Sequence, residues 1–273
     1  MEYLSLEISW FSPKNNDMPR NLFMIILTPF LACAQAEKPY NLTSMARNTV
    51  QETVHISKID DIPLPRGYIR TKAAAGSFAH WLRQRPLKKD TRVFLYNGTL
   101  KANQTAQFAV LDIPVGTKDL QQCADAVMRL RAEYLYSQKQ FAAISFADNN
   151  CKKYNCPPNT DRAGFERYLE KVFSYCGTLS LEKQLKPVID IQPGDVFIKG
   201  GSPGHAVMVM DVAVNSEGQT IYLLAQSYMP AQDIHVLRNP GNESLNPWYA
   251  VIPGAGEVHT PEWTFKTSQL RRW

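Results

Sequence analysis

Cysteine is scarce in this chain, five residues among 273, and no two of them form a C-x-x-C pair. None stands beside a histidine at ligand spacing, so no metal site is expected. Runs of basic residues are also missing: the formal charge of +5 comes from 30 basic and 25 acidic residues spread along the sequence. That pattern describes a solvated surface rather than a nucleic-acid track. No glycine-rich loop leads into a helix, which excludes a phosphate cradle, nucleotide binding and a nucleotide cofactor; no other cofactor is expected. The apolar run Leu22–Ala32 falls short of the ~20 residues a helix needs to cross a bilayer. What the chain does have is core material: 44% of its residues are hydrophobic, as in a globular protein.

The start of the chain has the layout of a targeting segment. Residues 18–36, MPRNLFMIILTPFLACAQA, combine a basic residue, the short apolar run and small residues, the order of a secretory signal peptide beginning at Met18. The first seventeen residues are then an extension. Two cleavage points fit. Phe30-Leu31-Ala32-Cys33 resembles a lipoprotein box and would leave a lipid-anchored Cys33, whereas Ala34-Gln35-Ala36 suits cleavage after Ala36 into a periplasmic or secreted form. The expected division is an extension and signal peptide over 1–36, a polar linker over 37–61 and one α+β domain over 62–273. In such a compartment Cys151 and Cys156 are expected to close a small disulfide loop, with Cys176 as an alternative partner or a buried thiol.

Periodicity supplies the elements. Ser77 caps a short helix, and Arg92–Tyr96 with Asn97-Gly98 marks a hairpin whose returning strand is placed at Gln107–Ile113. Leu120, Cys123, Ala124, Val127, Leu130 and Tyr134 recur at helical spacing, predicting a helix over 119–138 capped by Asp119. A second helix is expected from Asp161 to Tyr175. Strands follow at 195–199, 205–214, 220–226 and 234–237. Helices first and antiparallel strands later make an α+β fold.

Two residues stand out for chemistry. Cys123 lies in the first turn of its helix, where free backbone N–H groups favour a thiolate; it also lies on that helix's apolar face, where an inert core thiol is equally natural. His205 opens an apolar strand after Gly200-Gly201 and Gly204. The hairpin that follows sets Gln226 or Ser227 across from His205, and at ~3.3 Å per residue along the strand it leaves Asp211 out of reach. Cysteine on a helix and histidine on a later strand is the chain order of papain-like folds. Arg129 is a candidate for holding a substrate carboxylate, Gly201 for close backbone approach, and Tyr228 and Trp248 for lining a groove, each against a plain packing or ion-pair role.

Pro193-Gly194-Asp195-Val196-Phe197 leading to Gly204-His205-Ala206 resembles the core of the NlpC/P60 and CHAP cysteine peptidases. The nucleophile segment departs from theirs, reading Gln121-Gln122-Cys123-Ala124-Asp125. That resemblance implies a papain-like, NlpC/P60-like arrangement of helices on a C-terminal antiparallel sheet and hydrolysis of an amide in peptidoglycan or a peptide. Longer motifs, among them Leu120-Gln121-Gln122-Cys123-Ala124-Asp125-Ala126, Arg129–Leu135 and Ala225–Gln232, resemble the bacterial domain of unknown function family 4846. This second resemblance implies a secreted or lipid-anchored envelope protein and brings no reaction. A non-catalytic binding or scaffolding protein with a hydrolase-like frame is the alternative.

Overall fold

A computed structural model describes residues 56–273; the expected signal peptide and the lipidation candidate Cys33 lie outside the described residues. Among the described residues four α-helices, α1 (Phe78–Arg83), α2 (Cys123–Ser137), α3 (Arg162–Tyr175) and α4 (Thr178–Gln184), all precede the central strands. The strands are β1 (Tyr68–Arg70), β2 (Gln107–Val110), β3 (Ser145–Ala147), β4 (Lys153–Asn155), β5 (Lys186–Pro187), β6 (Val196–Lys199), β7 (His205–Asn215), β8 (Thr220–Gln226), β9 (His235–Leu237), β10 (Tyr249–Ala250), β11 (Glu257–His259), β12 (Thr264–Lys266) and β13 (Leu270–Arg272). Nine of them form one sheet in the order β2-β9-β8-β7-β6-β13-β5, with β1 also on β7 and β10 on β8. Every pairing is antiparallel. The fold is α+β.

Strand β7 is apolar on both faces because both are covered. Ala206, Met208 and Met210 face α2, where Ala124, Val127, Met128 and Leu130 complete the main core. Val207 and Val209 point the other way, into a second cluster closed by Phe265, Val258 and Leu270. The alternation follows from the two-residue period of a strand. It breaks once: the pairing of β7 with β8 shifts between Val209 and Asp211. A bulge inserts one residue and exchanges the faces, so Asp211 falls with Ala213 on the helix side. There it meets Arg83 of α1 at 2.6 Å and Arg70 of β1 at 2.7 Å.

Three boundaries differ from the sequence reading. Residues 56–61 are not linker: Ile59 is fully buried, its N–H donates to Arg85 O at 3.1 Å, and Leu87 N–H donates to Ser57 O at 2.7 Å. The Asn97-Gly98 turn does form, but its returning arm is the adjacent segment ending at Lys101, whose N–H donates to Val93 O at 3.0 Å. The segment Gln107–Val110 pairs with β9 instead. Finally, α2 begins at Cys123, with 119–122 as a non-helical lead-in. The Asp119 carboxylate is drawn away from capping by the Ala231 N–H, at 2.6 Å, and by Gln122 Nε2, at 3.1 Å.

Candidate active site

Helix α2 opens on the cysteine itself. Gln122 is the N-cap, and its N–H donates to Asp125 Oδ2 at 3.1 Å. Cys123 is therefore the first helical residue, next to amides that have no intrahelical partner. The thiol is buried, and burial pushes it up to about 11; Asp125 adds to the rise, while the N–H groups of Ala124, Ala206 and Cys123 act against it. The Ala206 amide belongs to the residue that follows His205, so the sulfur lies against the first residues of β7. Burial also raises the Asp125 carboxyl well above the usual carboxylate range, and among the described residues its Oδ1 has no hydrogen-bond partner.

The histidine is positioned by the turn from β6 to β7. Lys199 pairs with His205 across that turn. Thr178 of α4 reaches over to donate from Oγ1 to Gly201 O at 3.2 Å. Gly204 has no room for a side chain, since a Cβ there would stand 2.4 Å from Gly201 O and 2.5 Å from Thr178 Oγ1. Gly201 takes φ +112°, a conformation open to glycine. The His205 ring then packs among Tyr228, Trp263 and Phe265, with ring centroids at 4.8, 5.4 and 5.8 Å. Burial lowers the imidazole to about 4, against the opposing influence of Gln226 and Glu262.

Cys123 and His205 line one cavity of about 380 Å³, with Gly201, Gly204, Thr178, Tyr228 and Trp263. Behind the histidine runs a buried polar chain. His205 Nε2 lies 2.8 Å from Gln226 Oε1, and Gln226 Nε2 donates to Glu262 Oε2 at 2.8 Å and lies 3.3 Å from His235 Nε2. Glu262 also receives Lys101 Nζ at 2.5 Å and Asn103 Nδ2 at 3.3 Å. His235, lowered to about 3 chiefly by burial, turns Nδ1 to Asp233 O at 2.9 Å.

Gln226, rather than Ser227, is thus the residue on the imidazole. Strand alternation turns Ser227 the other way, where its one hydroxyl proton lies within reach of both Gln121 O and Gln232 O, each 2.9 Å from Oγ. Arg129 is not at the cleft: it binds Pro114 O at 2.6 Å and Gln121 Oε1 at 2.5 Å, pairs with Glu133 at 3.5 Å, and borders a separate cavity. Trp248 is fully buried with its indole N–H on Pro63 O at 2.8 Å, so it lines no groove. Tyr228 and Gly201 do line the cleft. The expected bridge between Cys151 and Cys156 is not formed; both thiols are free, because Cys151 sits exposed in the β3–β4 turn while Cys156 is turned into the core. Asp211 serves the two arginines and not the histidine.

Sequence reasoning missed Lys101, Glu262 and His235. His235 alone left a trace: adjacent antiparallel strands pair it with Gln226. Among the described residues, no group of three or more His, Cys, Asp or Glu is placed to hold a metal ion, and no helix is long and apolar enough to cross a membrane.

These features define a class of protein: an α+β domain whose central helix begins with a cysteine that shares a cleft with a strand histidine backed by a buried polar chain. By sequence, the chain belongs to the family described as a domain of unknown function (4846), matched over residues 59–157 and 147–272. No curated protein and no solved structure matches it. The local resemblance to the NlpC/P60 and CHAP peptidases finds no support in these comparisons.

Proposed function

We propose that this protein is a papain-like cysteine hydrolase of the bacterial envelope that cleaves an amide bond in peptidoglycan or a peptide. The observation that carries the reading is that Cys123 and His205 line one cleft while Gln226 holds the imidazole from behind. With the thiol raised to about 11 and the imidazole lowered to about 4, the two rest uncharged. The proton therefore moves as the substrate carbonyl is attacked. His205 takes it from the Cys123 thiol, the S–C bond forms, and the carbonyl π pair moves onto oxygen, where the free amides at the start of α2 stabilise it. Collapse breaks the C–N bond, the amine leaves with the proton from His205, and water releases the acyl group from the sulfur. Gly201, Tyr228 and Trp263 supply the walls against which a chain-like substrate packs. The apolar segment before Cys33 and the net basic charge suit a membrane-anchored protein working beside anionic wall polymers.

A second reading, a binding or scaffolding protein without catalysis, is favoured by one observation: Cys123 is only 7% exposed. The two separate cleanly. The full chain is incubated with purified peptidoglycan and its stem peptides, and new amine termini are followed by mass spectrometry. Cleavage abolished by Cys123→Ser and by His205→Ala, and retained by Cys151→Ser, is the expected result. Fragments that bind but stay intact, or a Cys123→Ser variant that cleaves as well as the parent, would overturn the hydrolase.

A further inference from the structure

The buried chain behind His205 determines where each of its protons sits. A carboxylate only accepts hydrogen bonds, and Glu262 receives Lys101 Nζ at 2.5 Å and Asn103 Nδ2 at 3.3 Å. Whatever part of Gln226 faces Glu262 must donate, so it is the amide NH₂ that lies there, at 2.8 Å. The amide oxygen is thereby turned to His205 Nε2, also at 2.8 Å. An oxygen accepts, so Nε2 carries the ring proton. In a neutral imidazole the other nitrogen is then bare.

The far side of Gln226 agrees independently. His235 Nδ1 lies 2.9 Å from the Asp233 carbonyl, which can only accept, so that ring is protonated on Nδ1. Its bare Nε2 is left to accept the second amide proton of Gln226, at 3.3 Å. Both donors and the acceptor of one glutamine are used, and the two histidines are held in opposite tautomers.

We propose that Glu262 is a positioning residue that sets the tautomer of His205 through the Gln226 amide, leaving Nδ1 as the proton-accepting nitrogen at the cleft. Among the described residues that nitrogen has no hydrogen-bond partner, whereas Nε2 is occupied. Glu262 does not touch substrate or sulfur. It fixes an amide that would otherwise rotate by half a turn, and a rotated amide would present NH₂ to His205, demand an acceptor there and move the ring proton to Nδ1. The histidine's lone pair would then be on Nε2, taken up by the amide, with none at Nδ1 to take a thiol proton. The catalytic consequence rests on the hydrolase reading; the proton positions do not.

The test reads the protons directly. Full-length ¹⁵N-labelled protein is examined by long-range ¹H–¹⁵N correlation at neutral pH, with His205→Gln and His235→Gln assigning the rings. A protonated Nε2 and bare Nδ1 on His205, with the reverse on His235, is expected; a protonated Nδ1 on His205 would overturn the inference. Glu262→Gln can offer an oxygen in the same place and should keep the pattern. Glu262→Leu should lose it, and because that change strands Lys101, the same spectrum is recorded on the pair Lys101→Met with Glu262→Leu. An unchanged His205 pattern in both leucine variants would also sink the role of Glu262. In the cleavage assay Glu262→Leu should lower kcat on the order of 10²-fold with KM little moved, and Glu262→Gln should restore most of it. A parent that cleaves nothing yet shows the expected tautomers would reject the hydrolase and keep this assignment.

Discussion

Strand β7 carries two buried polar side chains on opposite faces, and they are finished in different ways. Asp211, behind the bulge, meets Arg70 and Arg83 and also accepts the Val212 N–H at 2.8 Å. That carboxylate is fully buried among its partners. His205, at the start of the strand, has one nitrogen tied into the Gln226–Glu262 chain and its ring at a cavity. A buried group enclosed by its partners holds elements together, here α1 and β1 on β7; one bonded on a single side keeps its other end open. A buried polar group is costly unless bonded, so an unsatisfied end invites a ligand.

The largest effect should come from the saturated end. Asp211→Ala leaves the buried Arg83 guanidinium without a carboxylate, while Arg70 keeps Asp60 at 3.3 Å, and should cost about 3–5 kcal/mol in urea unfolding. Cleavage per folded molecule should not change. Gln226→Leu reverses the pattern, costing roughly 1–3 kcal/mol for the partners it strands while lowering cleavage on the order of 10²-fold. If both variants lost stability and activity in parallel, the contrast between the two ends of β7 would fail.

Acid should sharpen the same contrast. His205 and His235 stand at about 4 and about 3 when folded, against 6.5 when free, burial being the main cause. A folded pKa below the unfolded one means that the unfolded chain takes up protons first as the pH falls. Stability is therefore whole above about 6.5 and drains away between 6.5 and 4, at roughly 1.4 kcal/mol per pH unit for each ring. Asp125, raised by burial, pulls in the opposite direction. The informative quantity is accordingly the difference in slope between parent and His205→Gln, measured by urea midpoints at pH 7, 6 and 5. Equal slopes would mean that His205 is free to charge in the folded state.

Sequence carried one half of this contrast and hid the other. Cys123 and His205 were legible because helix starts, glycine turns and strand periods are local, and Gln226 was legible to within one residue from hairpin register. The choice against Ser227 needed the observed pleat. Glu262 and Lys101 are separated by 161 residues, and each lies in a segment whose local pattern gives no reason to turn a charge inward. Trp248 and Arg129 failed for a related reason. A large aromatic or a cation reads alike in sequence whether it borders a cleft or is consumed by a backbone carbonyl, as both are here. The bulge at Asp211, which decides which face that carboxylate serves, leaves no mark in an apolar run.

The smallest expected effect tests the controls. Cys151 lies exposed in the β3–β4 turn, at φ +63°, outside the cleft, whereas Cys156 is buried and its thiol is raised by that burial. Cys151→Ser should change stability by less than about 0.5 kcal/mol, as for an exposed side chain without partners, and should leave cleavage intact. Iodoacetamide on the native protein should label Cys151 well before Cys123, since a raised thiol holds little thiolate at neutral pH. A native Cys151 that resists labelling until reductant is added would restore the bridge to Cys156. A Cys123 that reacts first would mean that the cleft thiol is already ionised, and the proton would then have reached His205 before any substrate arrives.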